Sequence, residues 1–336
     1  MAILTDGDIA AVQRTRDVAN SFTMARAIFT PFKTMVRKGP KPRSTLFESP
    51  FKQRITPTDS AIADGVDVQD SEIINNEANK CMLQGRLQKG RVAIGISDLA
   101  DEFGDEFAAS NLRADNLRDA VIAAGENLEV TLLKTGDSQA YGGSGTPAKT
   151  RGFGSWIRSA NAGGTPDLPI NALALTPAAN ILSGVSDVTT LTDLDLNNIM
   201  HSISLAARQT GTWDVYCSPD FTKVLDQLTR SGVAVTSGSN QTVPLRRFNN
   251  DMADGTIQMM VRTYLTTAGT MRFHLHFSLP TGVHAYIVNH DYVTVRPGYA
   301  PRTRDIPYLG GSYKTLVEYV YGQMVDNPRA HGKITT

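Results

Sequence analysis

The stretch Tyr308–Ile334, YLGGSYKTLVEYVYGQMVDNPRAHGKI, constrains the fold more than any other part of the chain. A Gly-Gly turn leads into a long alternating run. Tyr313, Thr315, Val317, Tyr319 and Tyr321 fall on one face of a strand, and Lys314, Leu316, Glu318 and Val320 on the other. A strand of this length near a C-terminus has to be tied into a sheet, because an unpaired terminal segment frays. The run closes on what reads as a short polar tag, Asn327-Pro328-Arg329-Ala330-His331-Gly332-Lys333-Ile334. Nothing in the segment offers catalytic chemistry, yet its architecture is specified residue by residue.

With 336 residues, 41% of them hydrophobic, the chain can fill one large or two modest cores. Its 33 basic and 33 acidic residues cancel. That argues against a dedicated nucleic-acid binder, which carries a basic excess. Cys81 and Cys217 stand far apart, with no Cys-x-x-Cys or Cys/His spacing, so they read as free thiols in a reducing compartment and not as zinc ligands. The opening MAILTDGDIAAVQRTRD is too polar for a signal peptide, and no apolar run approaches the roughly 20 residues of a membrane span. The expectation is a soluble protein made in the cytoplasm.

Residues 1–30 read as an arm with one weakly apolar helix over 6–27. Between 36 and 90, prolines and charges interrupt short apolar alternations. Thr45–Phe51 and Arg54–Thr56 read as edge strands and Asn79–Ile96 as a second strand region, which together predict a projecting two-stranded loop. The clearest helix runs over 98–134, with Leu117, Val121, Ala124, Leu128 and Leu132 at helical spacing. Its uninterrupted part, 105–134, spans about 45 Å and reads as a spine. Residues 135–170 are rich in Gly, Ser, Thr and Pro around an apolar anchor, Phe153–Ile157, and predict a connector at a domain boundary. A helix capped by Thr192 follows, then a strand Trp213–Cys217 and a helix starting at Ser218-Pro219. Strands are expected over 257–266, 270–278, 283–289 and 292–296.

No motif carries chemistry well. GGSGTPAKTRG at 142–152 lacks the Gly-Lys-Ser/Thr of a phosphate-binding loop and follows a helix, not a strand. His274, His276 and His284 could share a sheet face, but without a nearby carboxylate they read as outer-face polar residues. Ser155 in GFGSWI has Ile157 where a nucleophile elbow needs its second glycine, and Trp156 reads as a buried anchor. Arg302 and Arg304 beside Asp305 suit either phosphate contacts or ion pairs between subunits. Zero net charge favours the ion pairs.

The order of these parts resembles the major capsid proteins of tailed bacteriophages with the Hong Kong 97-like fold. More narrowly, it resembles a family of phage head proteins catalogued as a domain of unknown function. The resemblance runs over residues 28–334. It rests on Thr30-Pro31-Phe32, Lys38-Gly39-Pro40, Ser44–Glu48, the spine helix, Gly154–Ile157 with Gly163-Gly164, Leu194–Met200 with Tyr216–Asp220, and the closing Asn327–Ile334. It implies an α+β capsid fold in five parts. These are an N-terminal arm (1–35), an extended loop over a neighbouring subunit (36–90), a peripheral domain with spine helix and connector (91–170), an axial domain (171–290) and C-terminal strands returning to the peripheral domain (291–336). It further implies pentamers and hexamers of an icosahedral head, located in the virion. The head encloses double-stranded DNA without sequence specificity and works alongside portal, scaffold or decoration proteins, with no cofactor and no membrane. The candidate assembly residues are Lys38, Arg43, Phe47, Lys52, Arg54, Trp156, Arg302, Arg304, Asp305 and His331. The sequence departs from the best-known member in having no convincing lysine, asparagine and glutamate set for covalent cross-links, although Lys52 and Lys89 lie in the loop region. Two alternatives stand beside this reading: a cellular nanocompartment shell of the same fold, and a soluble hydrolase using Ser155 or a histidine.

Overall fold

A computed structural model describes residues 30–54, 61, 64, 67, 77–97, 112–143, 145–161, 167–230, 233–234, 242–243, 263–307 and 312–336. The expected arm helix, the spine before Leu112, the strand past Arg54 and most of 231–262 lie outside them. Five helices are described: α1 (Pro31–Met35), α2 (Leu112–Leu133), α3 (Phe153–Trp156), α4 (Asp193–Ala207) and α5 (Pro219–Arg230). The strands are β1 (Arg37–Lys38), β2 (Leu46–Lys52), β3 (Lys80–Arg86), β4 (Gln88–Ser97), β5 (Ile181–Leu182), β6 (Thr212–Cys217), β7 (Val233–Ala234), β8 (Thr242–Val243), β9 (Thr263–Leu265), β10 (Thr270–Leu275), β11 (Val283–Val288), β12 (Val293–Ile306), β13 (Ser312–Val325) and β14 (Gly332–Thr335). They form a four-stranded sheet ordered β1-β12-β13-β4, a six-stranded sheet ordered β5-β14-β11-β6-β10-β9, and the pairs β2-β3 and β7-β8.

The chain divides into two compact units. One contains Arg91–Glu126 and Pro301–Glu318. The other contains Thr30–Gly90, Asn127–Ala300 and Tyr319–Thr336. The second unit is organised by the six-stranded sheet, whose two faces follow from the period of two along each strand. Trp213, Val215 and Cys217 of β6 point to one face, with Ala285 and Ile287 of β11. There they meet Leu196, Met200 and Ile203 of α4, and Phe221 and Leu225 of α5, in one apolar cluster. The alternate residues Asp214, Tyr216 and Tyr286 are also buried, and their partners lie on α1, α2, α3 and the sheet's own histidines. The sheet is therefore a middle layer with helices on both faces.

Local signals explain the helices over the apolar face. Thr192 and Asp195 form a reciprocal capping box, Thr192 N donating to Asp195 Oδ2 at 2.9 Å and Asp195 N to Thr192 Oγ1 at 3.3 Å. Leu196, Ile199, Met200 and Ile203 then recur at helical spacing and are buried. For α5, Ser218 Oγ accepts from Phe221 N at 3.3 Å, with Pro219 at the first helical position.

The structure corrects four expectations. The strand expected to stop at Arg296 continues to Ile306 through Pro297 and Pro301. β1 partners only Thr294 and Val295, so further along that edge a residue without an N–H costs no ladder bond. The connector at 135–170 is no boundary. Thr150–Ile157 is buried throughout, and Asn127–Ala300 lies within one unit. The closing tag is core. Asn327 caps a turn over Pro328–Ala330, while Ala330, His331 and Ile334 are fully buried. Its polar atoms are used: Trp213 Nε1 donates to Ala330 O at 3.0 Å, Asn289 N to His331 Nδ1 at 3.1 Å, and Asn180 Nδ2 to Arg329 O at 3.0 Å. Finally, residues 291–336 do not return as one block. β14 pairs with β11 and β5 of the segment assigned to the axial part, and Gly332 is needed there because a Cβ would stand 2.7 Å from Ile203 Cδ1.

On the polar face of the sheet, Glu129 of α2 is 1% exposed. Its Oε1 accepts from Phe32 N at 2.8 Å and from His276 Nε2 at 2.9 Å, and its Oε2 accepts from Lys33 N at 2.7 Å. Thr30 gives α1 no side-chain cap, so the distant carboxylate supplies it. We predict that Glu129→Gln, which turns one acceptor into a donor facing N–H groups, lowers stability by about 2–3 kcal/mol. Urea unfolding of the full chain reads the shift, and an unchanged midpoint would contradict this role for Glu129.

Candidate assembly site

The residues expected to build contacts between copies separate into two classes. Phe47, Trp156 and His331 are closed inside the chain; for Phe47 and His331 this corrects the expected surface, while Trp156 is the buried anchor its setting predicts. The Phe47 ring lodges between Gly85 and Gly322, where added Cβ atoms would lie 2.5 and 2.6 Å from it, and Arg296 covers it at 5.3 Å. Trp156 is fully buried under the Arg151 guanidinium, 4.7 Å from the ring centroid. His331 is fully buried against Phe153, ring centroids 5.2 Å apart.

Lys38, Arg43, Lys52, Arg54, Arg302, Arg304 and Asp305 are exposed. Two of these have partners within the chain, where the sequence reading placed ion pairs between subunits. Arg302 Nη2 is 3.7 Å from Glu318 Oε2, and Asp305 Oδ1 accepts from Thr315 Oγ1 at 2.7 Å. Both neighbours come from β13, which the spacing of single residues along β12 does not announce.

The β2-β3 ribbon brings several of the others together. Its inner face buries Phe47, Leu83 and Gly85. Its outer face pairs Glu48 with Gln84, Pro50 with Met82, and Lys52 with Lys80. Gln84 Nε2 donates to Glu48 Oε1 at 2.6 Å. Met82 is 53% exposed. Lys52 and Lys80 are exposed like charges directly opposite each other, a pairing that costs stability in a lone chain. An apolar centre beside two like charges is a surface suited to a partner.

The serine and histidines with candidate chemistry are held in internal networks. Ser155 is 2% exposed, and its hydroxyl donates to Asp137. Burial pushes the Asp137 carboxyl up, but hydrogen bonds from Ser155 and Arg158 outweigh it and hold the group below the usual carboxylate range. A carboxylate so held is a poor base for a serine nucleophile. His276, expected on an outer face, is fully buried. Its Nδ1 accepts from Ser278 N at 3.1 Å, so the proton sits on Nε2 and donates to Glu129. His274 Nε2 lies 2.8 Å from Asp214 Oδ1, and Arg272 Nε 2.9 Å from the same oxygen. Those bonds hold Asp214 low against the upward push of burial. Glu129 and Asp214 were invisible as partners because the contacts cross 147 and 60 residues. Among the described residues no group of side chains has the make-up of a metal site, and no helix is long and apolar enough to cross a membrane.

A sequence model of the family described as SU10 major capsid protein matches residues 5–336. The chain belongs to that family. As a major capsid protein it is a structural component of the virion shell. Solved structures agree on the fold, which is Hong Kong 97-like. A chain of Mycobacterium phage Bobi is 13% identical with a TM-score of 0.60, covering 99% of each chain. One of Mycobacterium phage Adephagia is 12% identical with a TM-score of 0.60, covering 99% of this chain and 98% of that one. The capsid structure of the cyanophage P-SCSP1u gives 12% identity and a TM-score of 0.55, over 96% and 93%. No protein of curated description matches the chain.

Burial, and then the charge of His290, pushes the His331 imidazole of this capsid protein down to about 3. The unfolded chain protonates this group near 6.5. Its contribution is therefore complete above about pH 6.5 and is lost as pH falls towards about 3, by up to roughly 4–5 kcal/mol. We expect the unfolding free energy to decline from pH 6.5 to 4.5, before the carboxylates titrate. His331→Asn, which keeps an acceptor for Asn289 N and cannot titrate, should flatten that decline. An equally steep slope in the variant would show that other groups set it.

Proposed function

We propose that this capsid protein self-assembles into pentamers and hexamers of an icosahedral phage head that encloses double-stranded DNA. The carrying observation is the family match over residues 5–336, joined to the outer face of the β2-β3 ribbon. In this reading residues 36–90 lie over a neighbouring subunit, and Pro50, Met82, Lys52 and Lys80 meet it. Lys38, Arg43 and Arg54, also exposed on the same segment, extend that contact. Residues before α1 act as an arm, the spine helix with β12 and β13 forms the peripheral domain, and the six-stranded sheet with α4 and α5 forms the axial domain. The role is structural, without a reaction to catalyse. DNA is held without sequence specificity, and portal, scaffold or decoration proteins complete the head.

Two variants test the ribbon. Removing residues 38–89 should leave capsomers or monomers in place of megadalton particles, read by light scattering after size exclusion and by negative-stain microscopy. Shells of normal size would overturn the assignment. Lys52→Glu separates folding from assembly. It gives Lys80 an opposite charge and should stabilise the unassembled chain by about 0.2–1 kcal/mol, while lowering the yield of shells. Equal yields with a stabilised chain would place the neighbour elsewhere. Double-stranded DNA inside particles purified from infected cells separates a phage head from a nanocompartment.

A further inference from the structure

A second partly open, unbalanced site surrounds the buried turn α3. Arg158 donates through Nη2 to Asp137 and to Ser155 Oγ, and through Nε to Ser155 O at 2.7 Å. Arg151 Nε lies 3.9 Å from Asp137 Oδ1, and its Nη2 donates to Leu168 O. Lys333 Nζ donates to Gly154 O at 3.3 Å. Asp167 is bound by Arg86. Among the described residues, four cations, Arg86, Arg151, Arg158 and Lys333, thus stand around α3 with two carboxylates, Asp137 and Asp167, an excess of two positive charges.

The cations also act on one another. Burial and then Arg158 push Arg151 down to about 10, against Asp137 and Asp167, and burial and then Arg158 lower Lys333. The hydrogen-bond inventory leans the same way. Arg151 Nε, Arg158 Nη1 and Trp156 Nε1 are buried donors with no hydrogen-bond acceptor among the described residues, and the Arg151 side chain is only 1% exposed. What the group lacks among the described residues is negative charge and acceptor oxygens together. Solvent reaches it beside Asp137, whose side chain is 31% exposed.

We propose that Arg151, Arg158 and Lys333 form a binding site for a phosphate-type oxyanion, either inorganic phosphate or a phosphodiester of a nucleic-acid backbone. Guanidinium forks match such oxygens in geometry, and a lysine adds a point charge. Asp137 competes with the ligand for the same donors and keeps binding weak enough to reverse. This site is independent of the shell reading, since its phosphate form needs no assembly.

Thermal unfolding of the full-length chain, with phosphate titrated against chloride at equal ionic strength, tests it. Saturating phosphate should raise Tm by about 2–4 °C. The rise should shrink in Arg158→Gln and in Lys333→Gln, the second of which leaves the Asp137 pairs intact. Asp137→Asn should bind phosphate roughly tenfold more tightly, because one repelling charge is gone. A purely structural Asp137 would not produce that gain. A short DNA duplex that stabilises the chain, with the effect lost in the same variants, assigns the site to a nucleic-acid backbone. Stabilisation by phosphate alone assigns it to the free ion. No rise beyond chloride, or a rise equal in every variant, would overturn the site.

Discussion

Three hydrogen bonds converge on the Glu129 carboxylate, and the polar side of the sheet depends on them. They come from the first helix, nearly a hundred residues earlier in the chain, and from the end of β10, almost a hundred and fifty residues later. A buried carboxylate is costly unless every oxygen is satisfied. Here the satisfying donors are two N–H groups that α1 itself leaves open and an imidazole whose other nitrogen is engaged by Ser278. The arrangement therefore fixes position as well as energy. Phe32 is carried by the same helix and packs between Phe153, Tyr216 and His290, with ring centroids 5.3–6.0 Å apart. The aromatic layer is seated wherever Glu129 holds α1.

Much of the fold was legible where one segment contains its own instructions. The Thr192 cap, the Ser218-Pro219 start and the period-two alternation of β13 are local, and each appears in the structure where the residues place it. Legibility fails where the decisive partner is remote. The NPRAHGKI closing segment looks polar because its side chains are, but it is held in the interior: Asn180, Thr176 and Trp213 donate to its backbone carbonyls, and Asn289 N donates to the His331 ring. The glycines of 135–170 look like flexibility. At Gly152 the reason is space instead, since a Cβ would lie 2.1 Å from Lys134 O. Prolines in β12 look like a strand end and are tolerated on an open edge.

The assembly residues divide along the same line. Charge is exposed in the loop, while Phe47, Trp156 and His331 are large groups for which no local pattern decides whether the cover is the same chain or a neighbour. The difference lies in what opposes them: two glycines for Phe47, a guanidinium for Trp156, a phenyl ring for His331. A large apolar residue in a sequence signals that something will cover it, and only the fold decides whether the cover is the same chain.

Total charge carries a related lesson. The sequence balances at zero, yet the described residues hold unbalanced places: Lys52 opposite Lys80 on the ribbon, and four cations against two carboxylates around α3. Averaging over the chain conceals both. Electrostatic free energy depends on local sums, because charges separated by more than about 8–10 Å of saline barely interact. A neutral subunit can therefore pack beside many copies of itself without long-range repulsion. At the same time it keeps short-range positive sites that another molecule can balance. Neutrality overall and mismatch locally are compatible demands on a protein that works as one tile of a shell.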